Sequence, residues 1–351
     1  MTDKILAVII GAGAGVITIF LRDFIISNYR DTRTEKKSAK EIFRRYADPL
    51  SAAAASLLWR LNEILNKPGR GVYLQADIAQ TKFVKYKKLS TVYRICNLLG
   101  WIRAFRRELS FLRTMNDQCI EGIKTSLGDL EKALADGAHI ELQRLDSLLD
   151  LWKHVYPHIE DQMIRAKVAY CLDHRLKEFL HKSKTELASD LSTEQQKDLC
   201  KELAKVIADE IDTHTPNDDI IEETRARSIK CISLKEAWLF RDWQAGIGDM
   251  MITPAPEGGR YYDIIGYRDL EEKYKDKESK DHFWINRVKE IIDGLDTTVS
   301  DEFDVRIGQL NNTIKAVASL FLILVSEDEG KRILFDSTIE LANNIINSAS
   351  N

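Results

Sequence analysis

Between Ile5 and Leu21 the chain is apolar at every position except for glycines and Thr18, and Arg22 with Asp23 closes the run. At about 1.5 Å of rise per residue, a helix of this run and its flanks reaches roughly the lower limit for crossing a hydrocarbon core. A helix is the conformation expected there, because lipid offers nothing for free N–H and C=O groups to bond. Ile25 and Ile26 extend the run if Arg22 reaches back to the interface. Before the run stands Lys4 beside Asp3, whereas Arg22, Arg30, Arg33, Lys36, Lys37, Lys40, Arg44 and Arg45 follow it. The excess of cations after the run predicts an outside N-terminus and a cytoplasmic body.

Three other readings compete for this stretch. Gly11, Gly13 and Gly15 suggest a dinucleotide fingerprint, but Val16 stands where the third glycine belongs, and a basic helical segment follows. A cleaved signal peptide ending near Ala12 or Ala14 leaves only Ile5 to Ile10 as its apolar core. The third alternative is a buried N-terminal helix of a soluble protein. Gly11 and Gly15 also form a GxxxG pair, which lets two helices approach closely in lipid and predicts self-association.

The remainder reads as water-soluble helix. In 351 residues with a formal charge of −4, no general affinity for polyanions is implied. Local charge is uneven: Lys82, Lys85, Lys87, Lys88, Arg103, Arg106 and Arg107 make one stretch basic, and acids dominate from Glu186 to Glu223. Such patches can meet within a protomer or between two. The aromatic residues interleaved with the basic stretch also allow a nucleic-acid surface, although a core face with a solvated basic flank is the reading preferred. Five scattered cysteines without a CxxC pair read as reduced core residues.

Helical periodicity recurs almost throughout. Asp48 and Pro49 look like the cap and first residue of a helix reaching about Asn66. Helices are expected over Tyr86 to Met115, Ile120 to Leu134, Ile140 to Trp152 and from Pro157 to His181. Ser192 with Gln195 resembles a capping box. Leu234 to Ile247, Trp284 to Leu295 and Val305 to Val325 follow, the last too short in its apolar part for a second span. Around Gly258 and Gly259 a short hairpin is expected. The expected architecture is all-α: an anchor at 1–26, a basic juxtamembrane segment at 27–47, a helical bundle at 48–225 and a second helical subdomain at 226–351.

Few residues suggest chemistry. His154 and His158 have a metal-ligand spacing, with Glu160 and Asp161 nearby, but Pro157 interrupts the helix that must align them. No metal or cofactor is expected. The dense segment Trp238 to Ile252, with Arg241, Trp243 and Gln244, is read as packing against the loop at Tyr261 to Gly266. Arg175 and His181 resemble the Arg and His pair of HEPN ribonucleases, helical proteins that dimerise to build a composite site; Leu176 departs from that pattern. The resemblance implies a metal-independent ribonuclease in which His181 does acid and base work.

Several longer stretches also resemble a family of bacterial proteins that place one membrane helix before a long helical body. They are Arg45-Tyr46-Ala47-Asp48-Pro49-Leu50, Ser56 to Leu65, Leu99-Gly100-Trp101, Arg106-Arg107-Glu108-Leu109, Arg241 to Met251, Gly266-Tyr267 and Arg287 to Asp296. That resemblance implies a bacterial inner-membrane location and brings no catalytic residue with it. The functional expectation is a single-pass protein, touching lipid through residues 5–26, that works by self-association and by binding a protein partner. A membrane-tethered HEPN-like ribonuclease, with a role in phage defence, is the alternative.

Overall fold

Helix starts in this chain are set by side chains that accept free backbone N–H groups. Ser192 accepts from the Gln195 amide while the Gln195 side chain reaches back, so the expected capping box opens a helix over Thr193–Ile211. Asp161 accepts from the amides of Met163 and Ile164 at 2.7 and 3.1 Å, and Asn217 accepts from Ile220 at 2.9 Å. The first of these caps places a helix start at Gln162, later than the expected start at Pro157, which lies in the preceding loop.

The computed structural model describes residue 38 and residues 41–109, 118–135, 140–256, 259–298, 304–326 and 336–348. The expected anchor at 1–26, its GxxxG pair Gly11 and Gly15, and most of the juxtamembrane segment lie outside the described residues. In chain order the described helices are α1 (41–65), α2 (Lys82–Leu109), α3 (Gln118–Ala135), α4 (Ile140–Leu151), α5 (Gln162–Ser183) and α6 (Thr193–Ile211). After them come α7 (Asp218–Ile232), α8 (Arg241–Met251), α9 (Tyr267–Lys275), α10 (Lys280–Glu290), α11 (Val305–Ser326) and α12 (Asp336–Asn347). A two-stranded antiparallel hairpin, β1 (Ile252–Pro254) with β2 (Tyr262–Ile264), pairs Thr253 with Asp263 and is the only sheet among the described residues. The expected all-α body and the expected hairpin are both present.

Two expected helix limits are corrected. Pro49 is interior to α1, which already runs from residue 41, so the Arg45 carbonyl lacks the donor that a helix normally supplies four residues on. Burial of Ile42, Phe43, Tyr46 and Leu50 outweighs that loss. Leu234 to Phe240 is extended rather than helical. Its backbone bonds run elsewhere: the Leu239 amide donates to the Leu134 carbonyl, and the Val305 amide donates to the Lys235 carbonyl.

Buried apolar side chains fall into two clusters. One takes residues from Ile42 to Leu134 together with Ala237 to Ile345, and the other lies between Leu145 and Ile232, on α4 to α7. Arg144, buried at the start of the second cluster, ties it to the extended segment, donating to Asp173 at 2.6 Å and to the Leu234 carbonyl at 3.1 Å.

α11 meets the length and composition of a membrane span, with a mean hydropathy of 1.3 over its most apolar window. It packs against α3 and α12, and 61% of that window is buried inside the protein. The run expected to be too short for a span thus lies in a helix long enough for one, and its buried residues belong to the larger apolar cluster.

Candidate functional site

α2 carries all seven residues of the expected basic patch, and pairing disposes of much of their charge. Arg103 grips Asp249 of α8 through two nitrogens at 2.5 and 3.2 Å, and Arg107 reaches the same carboxylate at 2.9 Å. Arg106 pairs with Glu131 of α3. Lys87 bonds Glu63 at 2.6 Å and lies over the rings of Tyr73 and Phe83. These four residues bind α2 to its neighbours, so much of the expected patch is charge paired at the surface rather than free cation.

Lys82, Lys85 and Lys88 point elsewhere, toward α9 and α10, where they line a cleft of about 610 Å³. Buried Lys88 bonds Asp293 at 2.9 Å, and Lys289 bonds the second oxygen of that carboxylate at 2.5 Å. Burial disfavours the charge on Asp293, but the two lysine hydrogen bonds outweigh it and hold its carboxyl below the usual range. Tyr86, Tyr267 and Tyr274 supply the cleft's aromatic wall. The Tyr86 and Tyr267 rings meet edge to face with centroids 6.1 Å apart. The sequence reading missed the α9 and α10 half of this cleft because it lies about 180 residues downstream of Lys85 and carries no motif of its own.

At the other end of α2, Glu108 is buried beside Arg45 of α1, with Oε1 accepting at 2.9 Å. Arg45 also donates to the Gly259 carbonyl at 2.6 Å. Glu108 Oε2 and the Tyr46 hydroxyl are both buried in this cluster. Burial, and then the Glu108 carboxylate, push the Tyr46 phenol well above its ordinary value. This cluster therefore stays protonated at Tyr46 and knits α1, α2 and the hairpin together.

The dense segment on α8 packs in three directions. The Gln244 amide donates to the carbonyls of Glu131 and Leu239, at 3.0 and 2.8 Å, and the Ile265 amide donates to the Met251 carbonyl at 2.9 Å. Trp243 faces α10, where the Arg287 guanidinium lies 3.3 Å from the centroid of its ring and 4.3 Å from that of Phe283. Phe240 packs edge-on to Trp243 at 4.8 Å. Phe240 and Phe283 remain 51% and 52% exposed, so a cation held between aromatic rings stands at the surface.

Arg175 and His181 both lie on α5 and are not brought together. Six residues of separation place them about 120° apart around the axis. Arg175 pairs with Glu178 at 3.3 Å and Glu202 at 3.8 Å, and His181 is exposed in the last turn. His154 and His158 stand exposed in the loop between α4 and α5, where no helix aligns them. Among the described residues no group of three His, Cys, Asp or Glu side chains is placed to hold a metal. The sequence matches no protein-family model, and no curated protein and no solved structure matches the chain.

Proposed function

We propose that this protein works by association: a helical body, held at the cytoplasmic face of a bacterial inner membrane by residues 5–26, that docks a protein partner on the face of α8 and α10. Self-association through Gly11 and Gly15 belongs to the same proposal. The observation that carries it is the Arg287 guanidinium stacked on Trp243 and half-exposed Phe283, with half-exposed Phe240 packed against Trp243. Aromatic rings and arginine are the side chains that most often dominate interface energies. A guanidinium already stacked between two rings loses little freedom when a partner arrives. The apolar run and its basic flank support the membrane part of the reading.

Placing a photo-crosslinking residue at position 240 or 283 of the full chain in cells tests this. A discrete adduct from both positions, absent from a probe at exposed Lys205 and lost on Arg287→Ala, is the expected result. An adduct of twice the chain mass identifies the partner as a second copy. No adduct, or the same adduct from all three positions, overturns the proposal.

A further inference from the structure

The cleft between α2 and the α9–α10 pair is independent of the aromatic face, since Lys289 and Arg287 are two positions apart on α10 and point to opposite sides. Five lysines line it, Lys82, Lys85, Lys88, Lys275 and Lys289, against one lining carboxylate, Glu271. Internal pairing neutralises only part of this charge. Lys275 bonds Glu271 at 3.0 Å, and Lys88 and Lys289 share Asp293. Lys82 and Lys85 are exposed and have no acidic partner among the described residues. Five cations against two carboxylates leave three positive charges facing one concavity. A surface patch held for solubility would not need such convergence, because each lysine could point freely into water.

The remaining walls are aromatic and apolar. Tyr86, half exposed, stands beside Lys82 and Lys85 in edge-to-face contact with Tyr267, and Tyr274, Leu89 and Val92 also line the cleft. The volume of about 610 Å³ falls in the ordinary range for small-molecule sites. Flexible ammonium groups suit the several oxygens of a phosphate chain, and tyrosine rings suit the face of a planar base.

We infer that this cleft binds a nucleoside di- or triphosphate, with Lys82 and Lys85 on the phosphate chain and Tyr86 against the base. The inference assigns binding only. Hydrolysis is no part of it, because nothing on these walls positions a water for attack.

Calorimetric titration of the purified full chain at low salt with ATP, pyrophosphate and adenosine tests the assignment. ATP is expected to bind, pyrophosphate to bind more weakly, and adenosine to give no detectable heat. Lys82→Ala with Lys85→Ala removes two exposed, unpaired cations and should weaken ATP roughly tenfold without disturbing the fold, whereas Lys205→Ala should leave it unchanged. Tyr86→Ala should weaken ATP and leave pyrophosphate as it was. Absence of ATP binding, equal affinity in the double-lysine variant, or pyrophosphate binding as tightly as ATP overturns the inference. An oligonucleotide bound more tightly than ATP overturns it in favour of a nucleic-acid surface.

Discussion

Replacing Gly248 by alanine sets two effects against each other. In an exposed helix the change favours folding by about 1 kcal/mol, because glycine gives up more backbone freedom than alanine. At the crossing of α8 with α2, a Cβ on Gly248 would stand 2.6 Å from Arg103 Cβ and 3.0 Å from the Leu99 carbonyl oxygen. Carbon atoms in contact sit at roughly 3.5–4.0 Å, so the helices must separate by about 1 Å. Neither neighbour is the loose end of a side chain, and Arg103 is further held by its bonds to Asp249. Gly100 on the facing helix would be equally tight, its Cβ 2.8 Å from Met251 Cβ, so the crossing has no slack to give. Overpacking of this kind costs about 1–3 kcal/mol. After the helix-propensity gain, Gly248→Ala should lose up to about 2 kcal/mol, which at about 2.1 cal/mol/K of unfolding entropy per residue is a fall in melting midpoint of up to about 3 °C for this 351-residue chain. Gly128→Ala on α3, where a Cβ meets nothing within 4 Å, should instead gain about 0.5–1 kcal/mol. Thermal unfolding of both variants by circular dichroism reads the difference. A Gly248→Ala protein that gains stability as Gly128→Ala does would refute the close-crossing argument.

Other outcomes follow from the buried polar groups. Arg306 is 5% exposed and bonds Asp304 at 2.8 and 2.7 Å and the carbonyls of Glu290 and Asp293 at 2.8 and 2.7 Å. Arg306→Met strands the Asp304 carboxylate and should cost about 3–5 kcal/mol in urea unfolding, with a smaller loss when Asp304→Asn is added. Burial pushes the Cys96 and Cys200 thiols up to about 12, so both should resist iodoacetamide at pH 8 in the folded chain and react once it is unfolded in urea. Because the unfolded chain releases these protons near pH 8.5, their effect is to lower stability as pH rises from there toward 12. Glu63 acts at the other end: burial works against its charge, but the Lys87 hydrogen bond and the Arg60 charge hold its carboxyl low. Its contribution is present above about pH 4.3 and is lost as pH falls through the lowered value, which an acid titration of Glu63→Gln against wild type reads out. If residues 5–26 hold the protein in lipid, the full chain stays in the membrane pellet after alkaline carbonate washing, and its release into the supernatant removes the anchor.

Helices were legible wherever apolar spacing and a cap coincided, as at Ser192 and Gln195, and at Val305 to Val325. Legibility failed where backbone groups bond to distant segments. The stretch from Leu234 to Ile247 is expected as one helix, yet the carbonyl of Lys235 and the amide of Leu239 are taken by residues 305 and 134. Pro49 misled for the opposite reason, since a proline that looks like a first turn is tolerated in mid-helix when the flanking face is buried. The basic stretch on α2 was visible as a string of cations, but Asp249, Glu131 and Asp293, which decide which of them face water, lie far along the chain. The cleft could not be assembled from sequence because no local pattern ties Lys85 to Lys289.

Charge on α2 is sorted by what each cation meets. Planar guanidinium groups at Arg103 and Arg107 share one α8 carboxylate, a geometry that fixes the crossing where Gly100 and Gly248 let the helices touch. Lysines, point charges on flexible stems, occupy the opposite end, where Lys82 and Lys85 carry no structural duty and are free to follow a ligand. The tight end supplies rigidity and the open end supplies adaptable donors. Exchanging arginine for lysine at the crossing would weaken it, because lysine cannot fork onto Asp249. This division explains why one continuous basic helix both cements the fold and leaves a cationic concavity beside it.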